Sequence, residues 1–554
     1  MDKKQSYENI YAVILVAALI TAGYLFMITR STLWDRDEPR FARSAVEMIE
    51  SGKYLVPTFN DELWADKPVL VYWLMTVSIK VFGNGEFACR FWSALGTGIC
   101  SVLTYLIGRR LFGYKQGLLA MGILATSTLM LVIGTMATSD GSTLPFTLGA
   151  MLIFIYGLTS KLKQYHIVAI GVLMGFGMLA KGPIGLMPMP VMFLTGWFAK
   201  DNFKGFVKNS LLVAESVAIA CAVFMVWGLQ ANVATDGEFL KVFVGRHVLE
   251  RATKPMEHHG GNFWLYLPYY IPVVIVGFFP WTLFLPGGLS ALAGGRLAES
   301  KPKKLLLVWT ISIIVAMSLA ATKLPHYIIF IWPGLALIAA AVIVAFQERR
   351  LSVKDIKWLK AGVWFIAPIG AMVGLGMIAG GFYIPLEGLA VPAILCGFIM
   401  IAMTIAAGLF VYANKMMGAA KVLIIGMILF HVPHLLGVLP AVEQIKMPVK
   451  LAEVIVQETD KDVQVASYKF GEPTLNYYTG RTIHRLSNGD QVVEWLNSDE
   501  PRVLVALKSE YDKVIEKYGN LNVTQIGSAK GLDYSKGIEE IELIAVTNRL
   551  EIRD

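Results

Sequence analysis

Along this chain apolar residues gather in blocks of about 20, the length a helix needs to cross a bilayer, with short polar clusters between them. Thirteen blocks can be read: 9–29, 87–108, 116–135, 142–159, 165–180, 183–199, 210–230, 269–292, 304–321, 327–346, 361–380, 388–412 and 420–440. Packed in water, so many all-apolar helices would have no polar face to turn outward. Beyond residue 441 the pattern changes to short strands alternating with amphipathic helices, at Val463 to Ala466, Val492 to Leu496, Val503 to Leu507 and Tyr511 to Tyr518. The expected fold is mainly α: a polytopic membrane domain over 1–440 with about thirteen transmembrane helices, then a soluble α/β domain over 441–554.

Composition agrees, because only 16% of the 554 residues are charged and 55% are hydrophobic, whereas a soluble domain carries about 25% charged residues. The net charge of +8 does not point to nucleic acid. Its Lys and Arg residues stand in every second connection, as at Arg109, Arg110 and Lys115, at Lys204 and Lys208, at Arg349, Arg350, Lys354, Lys357 and Lys360, and at Lys415 and Lys421. Basic connections mark the cytoplasmic side. With Lys3 and Lys4 also inside, the first block is expected to be a retained anchor, and the remaining connections and the C-terminal domain to lie outside the cytoplasm. Cys89, Cys100, Cys221 and Cys396 sit in or beside apolar blocks with neither metal-ligand nor disulfide spacing.

Two external connections are long, 30–86 and 232–268, and they hold acidic residues, histidines and tryptophans. Within the first, 69–82 is too short to span and is expected to be a helix along the membrane surface. The connection opens with Trp34-Asp35-Arg36-Asp37-Glu38-Pro39-Arg40-Phe41. Its carboxylates can position or deprotonate an acceptor, and Arg40 can hold a phosphate. Equally, Asp37, Glu38 and Pro39 have the residue types of a helix first turn. Lys181 and Lys323 by themselves could be helix-end snorkels. His258-His259 could be a metal pair or a solvated loop bend.

The run Asp37-Glu38-Pro39-Arg40-Phe41-Ala42, then Gly52 and Pro57, then Asp66-Lys67-Pro68 with Tyr72-Trp73, then Phe82-Gly83 and Glu86 to Arg90 resembles lipid A aminoarabinose transferases. These belong with protein O-mannosyltransferases and oligosaccharyltransferases among the multispanning glycosyltransferases of the C fold. The likeness is densest over 30–110 and returns at Asp140, at Lys181 in Leu-Ala-Lys-Gly-Pro, at Arg246-His247 with Arg251 following, and at Lys323-Leu324-Pro325-His326-Tyr327. The family more often has Glu where this chain has Asp66, and Pro where it has Val69.

The resemblance implies a polyprenyl-phosphate sugar donor, undecaprenyl phosphate carrying 4-amino-4-deoxy-L-arabinose, and lipid A or another glycolipid as acceptor. It places Asp37, Glu38 and Asp140 as catalytic residues, and Arg40, Lys67, Lys181, Arg246, Lys323 and Tyr327 around the donor phosphate. It also implies a divalent metal, zinc or manganese, on Asp66 and His247. Cations at those positions would stabilise charge on the departing phosphate. A hydroxyl acceptor on a protein or glycolipid would require Asp37 as base, whereas a lipid A phosphate is already anionic and needs only positioning. A transporter would be expected to carry ionisable groups near the bilayer midplane, where this chain has few, Glu215 among them. A membrane-anchored interaction protein would leave the charged external connections unexplained.

Overall fold

The computed structural model describes residues 3–34, 36–159, 163–199, 203–254, 266–297, 300–533 and 539–549. Among them, nine helices are long and apolar enough to cross a membrane. Two further stretches are bent pairs: Tyr114–Ala125 with Thr128–Thr135 at 65°, and Leu267–Gly277 with Trp281–Ala293 at 109°. Counting each bent pair as one span gives eleven candidate spans among the described residues, and two shorter helices, Pro188–Ala199 and Ser300–Leu319, occupy the remaining apolar blocks. The blocks at 116–135 and 269–292 are thus angled segments and not straight helices. The 183–199 block begins as a 3-10 turn, Gly182–Leu186.

Contacts at one face fix which helix ends lie together. The Lys181 ammonium reaches Asp140, the Thr322 amide donates to the Arg251 carbonyl at 3.1 Å, and Lys446 meets Thr32 at 2.9 Å. These contacts bring the two long connections and the soluble domain together at one face of the bundle.

The first connection is built from four elements after α1 (Lys3–Met27): α2 (Asp37–Ser51), the strands β1 (Thr58–Phe59) and β2 (Glu62–Leu63), and α3 (Leu70–Phe82), which leads into α4 (Glu86–Leu111). The 69–82 stretch is thus helical, with Tyr72, Met75 and Ile79 buried and Val77, Val81 and Phe82 outward. β1 and β2 form a hairpin whose tip residues Asn60 and Asp61 have φ of 58° and 63°, the left-handed pair that a two-residue type I′ turn demands. Glu47 on α2 holds that tip, accepting from the Asn60 amide at 2.8 Å and the Thr58 hydroxyl at 2.7 Å.

Small residues let the helices that carry the charged residues close up. A Cβ on Gly96 of α4 would stand 2.3 Å from the Gly141 carbonyl oxygen, so only glycine permits this crossing of α4 with the Ser139–Thr159 helix, as in small-residue packing of membrane helices generally. Gly182 ends the Lys181 helix at φ +61°, with the Phe243 ring 2.7 Å from where its Cβ would be.

The soluble domain is a five-stranded sheet of order β4-β3-β5-β7-β6, with β3 (Gln464–Tyr468), β4 (Ile483–Leu486), β5 (Arg502–Leu507), β6 (Thr524–Asp533) and β7 (Glu539–Thr547). β3 runs parallel to β4 and β5, while β7 is antiparallel to both neighbours. Val465, Val503 and Val505 pack on one face against Leu451, Ile455 and Leu475. Ala466, Leu504 and Ala506 pack on the other against Val492, Trp495 and Val514. Helices therefore cover both faces, and the domain has its own core.

Candidate active site

The start of α2 brings two neighbouring carboxylates to opposite fates. Glu38 is 1% exposed and accepts from Arg90 Nε and Nη2, each at 2.7 Å, from the Trp34 amide at 2.7 Å and from the Ala137 amide at 2.5 Å. Arg90 in turn donates to the carbonyls of Ile28, Ser31 and Thr32. This two-pronged, fully bonded pair ties α2 to α4 and to the turn before Asp140. Glu38 is thereby fully engaged in holding α2 against α4. Asp37, one residue earlier, is exposed, and its charge acts on Lys181 and Tyr72.

A second group centres on Asp66. Its Oδ2 receives Lys67 Nζ at 2.7 Å, while Oδ1 lies 2.8 Å from His247 Nδ1 and 3.5 Å from Arg251 Nη2. Burial raises the Asp66 carboxyl, but the charge of Lys67 and the imidazole of His247 more than reverse that and hold it far below the usual carboxylate range. Asp66 Oδ1 and His247 Nδ1 thus face each other as a close pair, with the Tyr72 hydroxyl and the Trp64 indole nitrogen buried beside them. Arg40 stacks here too, 5.3 Å over the Trp64 ring.

A third group joins the ends of two antiparallel helices. Asp140 and Lys181 are both buried and paired with each other, His326 Nε2 lies 3.9 Å from Asp140 Oδ2, and Lys181 Nζ stands 5.4 Å from the centre of the Tyr327 ring. Tyr327 also bonds Arg251, so the second and third groups are continuous. Beneath them Leu144, Leu148, Met151, Val191, Trp309 and Phe330 line a narrow apolar crevice.

Two sequence expectations shift. Arg246 is exposed and, among the described residues, stands apart from the ion pairs of these groups; Arg251, four residues past His247 and so on its side of the helix, lies 3.5 Å from Asp66 instead. Lys323 is buried with Nζ on the carbonyls of Ser318 at 2.7 Å and Ala320 at 2.5 Å. It caps the Ser300–Leu319 helix, and burial pulls its ammonium below the ordinary lysine value. His326, to which the resemblance assigns no role, lies 3.9 Å from Asp140 within this group. His258 and His259 lie outside the described residues.

Asp66 and His247 fit a divalent cation to this extent: a carboxylate oxygen and an imidazole nitrogen stand side by side, 2.8 Å apart and largely shielded from solvent. Among the described residues no group of three or more His, Cys, Asp or Glu is assembled, so any ion here would take its other ligands from substrate or water.

A multispanning bundle with a soluble α/β domain, and lysines and arginines clustered at one face, is the architecture of a membrane glycosyltransferase, and likenesses to known proteins bear this out. The family model of dolichyl-phosphate-mannose-protein mannosyltransferases matches residues 66–229. ArnT from Cupriavidus metallidurans bound to undecaprenyl phosphate has the same fold, with TM-score 0.78 over 98% of this chain and 99% of that one at 19% identity. The oligosaccharyltransferase AglB from Archaeoglobus fulgidus, in complex with an inhibitory peptide and a dolichol-phosphate, gives TM-score 0.51 over 94% and 69% at 12% identity. The undecaprenyl phosphate-alpha-4-amino-4-deoxy-L-arabinose arabinosyl transferase of Pectobacterium carotovorum subsp. carotovorum (strain PC1) is 30% identical over 389 residues, 68% of this chain and 67% of that protein. This chain belongs to the family of undecaprenyl phosphate-aminoarabinose arabinosyl transferases, and it is a glycosyltransferase.

Proposed function

We propose that the protein moves 4-amino-4-deoxy-L-arabinose from undecaprenyl phosphate to a phosphate of lipid A at the periplasmic face of a bacterial inner membrane. The observation that carries this reading is the continuous cationic cluster of Lys67, Arg251 and Lys181. These cations have the chemistry to hold the donor phosphate.

In the reaction an oxygen of the acceptor phosphate attacks the anomeric carbon as the bond from that carbon to the donor phosphate oxygen breaks. The electron pair leaves with undecaprenyl phosphate. Lys67, Lys181 and Arg251, with Arg40 at the rim, stabilise the charge that grows on the departing phosphate. The acceptor is already ionised, so no proton is taken from it, and Asp37 orients it instead. Asp140 holds Lys181 extended toward the site. A divalent cation, zinc or manganese, would be held by Asp66 and His247, where it would add Lewis-acid stabilisation of the leaving group.

The basic residues in every second connection of the sequence support this orientation, since such connections mark the cytoplasmic side. Alkaline phosphatase fused after Glu443 is expected to be active and after Lys357 inactive, and the reverse would invert this topology. The activity itself is tested with purified protein, radiolabelled undecaprenyl phosphate-aminoarabinose and lipid A. Labelled lipid A is the expected product, and transfer to a protein hydroxyl with none to lipid A would replace this reading by its alternative.

A further inference from the structure

Asp37 sits just past a backbone segment that the soluble domain grips. The Leu33 amide donates to Tyr478 Oη at 2.7 Å, and the same hydroxyl donates to Glu86 Oε1 at 2.8 Å. Burial, then the charge of Glu86, push that hydroxyl up, so it stays protonated and keeps both bonds. Lys446, 5% exposed, donates to the Thr32 carbonyl at 3.0 Å and hydroxyl at 2.9 Å, and lies 3.9 Å over the Trp34 ring. Glu443 completes the contact through the Thr32 hydroxyl and a 2.8 Å pair with Lys446. From the opposite side Arg90 holds the carbonyls of Ser31 and Thr32 and the carboxylate of Glu38. Residues 31–34 and 38 are thus bonded from both flanks of the turn that presents Asp37.

A second grip lies at the hairpin. The side-chain amide of Asn60 accepts from the Ile483 amide at 2.7 Å and donates to the Ile483 carbonyl at 3.1 Å, and its oxygen also receives Asn476 Nδ2 at 2.6 Å. Asn60 thereby pairs with edge strand β4 as a neighbouring strand would, which also covers that edge. Thr482 bonds Asp61 beside it. Glu47 carries this hold back to α2. None of these bonds is needed for the soluble domain's own core, whose two apolar layers close on each other. They join polar groups of two domains, where each bond must replace water and so selects one geometry more than it adds stability.

We propose that the soluble domain is a positioning element for the transfer reaction, with Tyr478 and Lys446 as positioning residues that hold segment 31–34 and thereby aim Asp37 at the acceptor. This rests on the reading of Asp37 as the acceptor-side carboxylate. Donor phosphate is held from other elements, by Lys67, Lys181 and Arg251, so the brace acts on one substrate and not on the other.

The full-length protein in lipid nanodiscs tests this with four variants. Tyr478→Phe and Lys446→Ala are expected to lower kcat by about ten- to a hundredfold, the cost of a small misplacement of a reacting group, or to raise KM for lipid A, while undecaprenyl phosphate binds as in the parent. Lys446→Arg should recover most of the rate, because it restores a cationic donor to Thr32. A structural role alone would weaken binding of undecaprenyl phosphate and lower Tm in parallel with the rate, and that result overturns the proposal. So does an unchanged kcat and lipid A KM in Tyr478→Phe when Asp37→Asn is impaired. Full activity of Asp37→Asn would instead overturn the reading of Asp37 itself.

Discussion

Glu38, fully buried, and Asp66, 12% exposed, are two carboxylates on the same long connection, and their surroundings differ. Glu38 has every acceptor position filled, by a two-pronged guanidinium and two backbone amides. Asp66 has more cationic charge around it, from Lys67, Arg251 and the imidazole of His247, but its set is looser: Oδ1 has the His247 nitrogen at 2.8 Å and the Arg251 guanidinium only at 3.5 Å. A filled network holds one structure and has nothing left to offer a substrate. A looser one leaves charged groups able to turn to a ligand. The difference separates the residues that build this site from those that use it, although both kinds are ionic.

The comparison breaks first at Lys67. Lys67→Ala should reduce transfer by about a thousandfold, the upper range for loss of one group that stabilises charge on a leaving oxygen. Folded yield and Tm should be close to those of the parent, and near-normal turnover would remove Lys67 from the phosphate. Glu38→Gln should do the opposite: leaving Arg90 buried without its counter-charge costs about 3–5 kcal/mol, seen as lost folded protein before any rate is measured. A well-folded, inactive Glu38→Gln enzyme would return Glu38 to the chemistry.

A smaller effect sharpens the contrast at Asp66. Asp66→Ala with His247→Ala should lower zinc or manganese content measured on the purified protein. Chelation should slow the parent by about tenfold, less than the loss of Lys67, because a metal is one of several groups that stabilise the departing charge. Equal metal in both proteins, or full activity after chelation, would leave Asp66 and His247 as partners of Lys67 and Arg251 only.

Which of these roles the sequence discloses depends on distance along the chain. The helical blocks follow from hydropathy, and the Asp66-Lys67 pair stands out because both charges sit next to an apolar helix. Arg251 was within reach too: it follows His247 by four residues, whereas Arg246 precedes it by one and points about 100° away on an ordinary helix. Spacing decides between them better than position in a motif. Lys323 likewise stands four residues past the last residue of an apolar helix, where a lysine commonly caps carbonyls. The bends at 116–135 and 269–292 leave a hydropathy trace unchanged, since both halves are apolar. The Glu38–Arg90 pair and the bonds of Asn60 and Tyr478 to the other domain join residues 52, 423 and 392 positions apart at their partners Arg90, Ile483 and Glu86, and no local pattern encodes such meetings.

Lys323 gives the smallest expected effect and the strictest check on the contrast between filled and looser groups. Its ammonium already has two carbonyl partners, and burial among them disfavours its charge. Lys323→Met keeps the length and apolar stem of the side chain while removing the two bonds, each worth about 1 kcal/mol. The variant should lose a little stability and change kcat by no more than about threefold, a barrier change of well under 1 kcal/mol. Its affinity for undecaprenyl phosphate, measured by direct binding, should match that of the parent. A hundredfold loss of transfer in a protein with unchanged Tm would mean that the ammonium leaves the helix end when substrate binds. Lys323 would then belong with Lys67 and Lys181 around the phosphate, and a filled hydrogen-bond network in the free protein would no longer suffice to exclude a residue from the reaction.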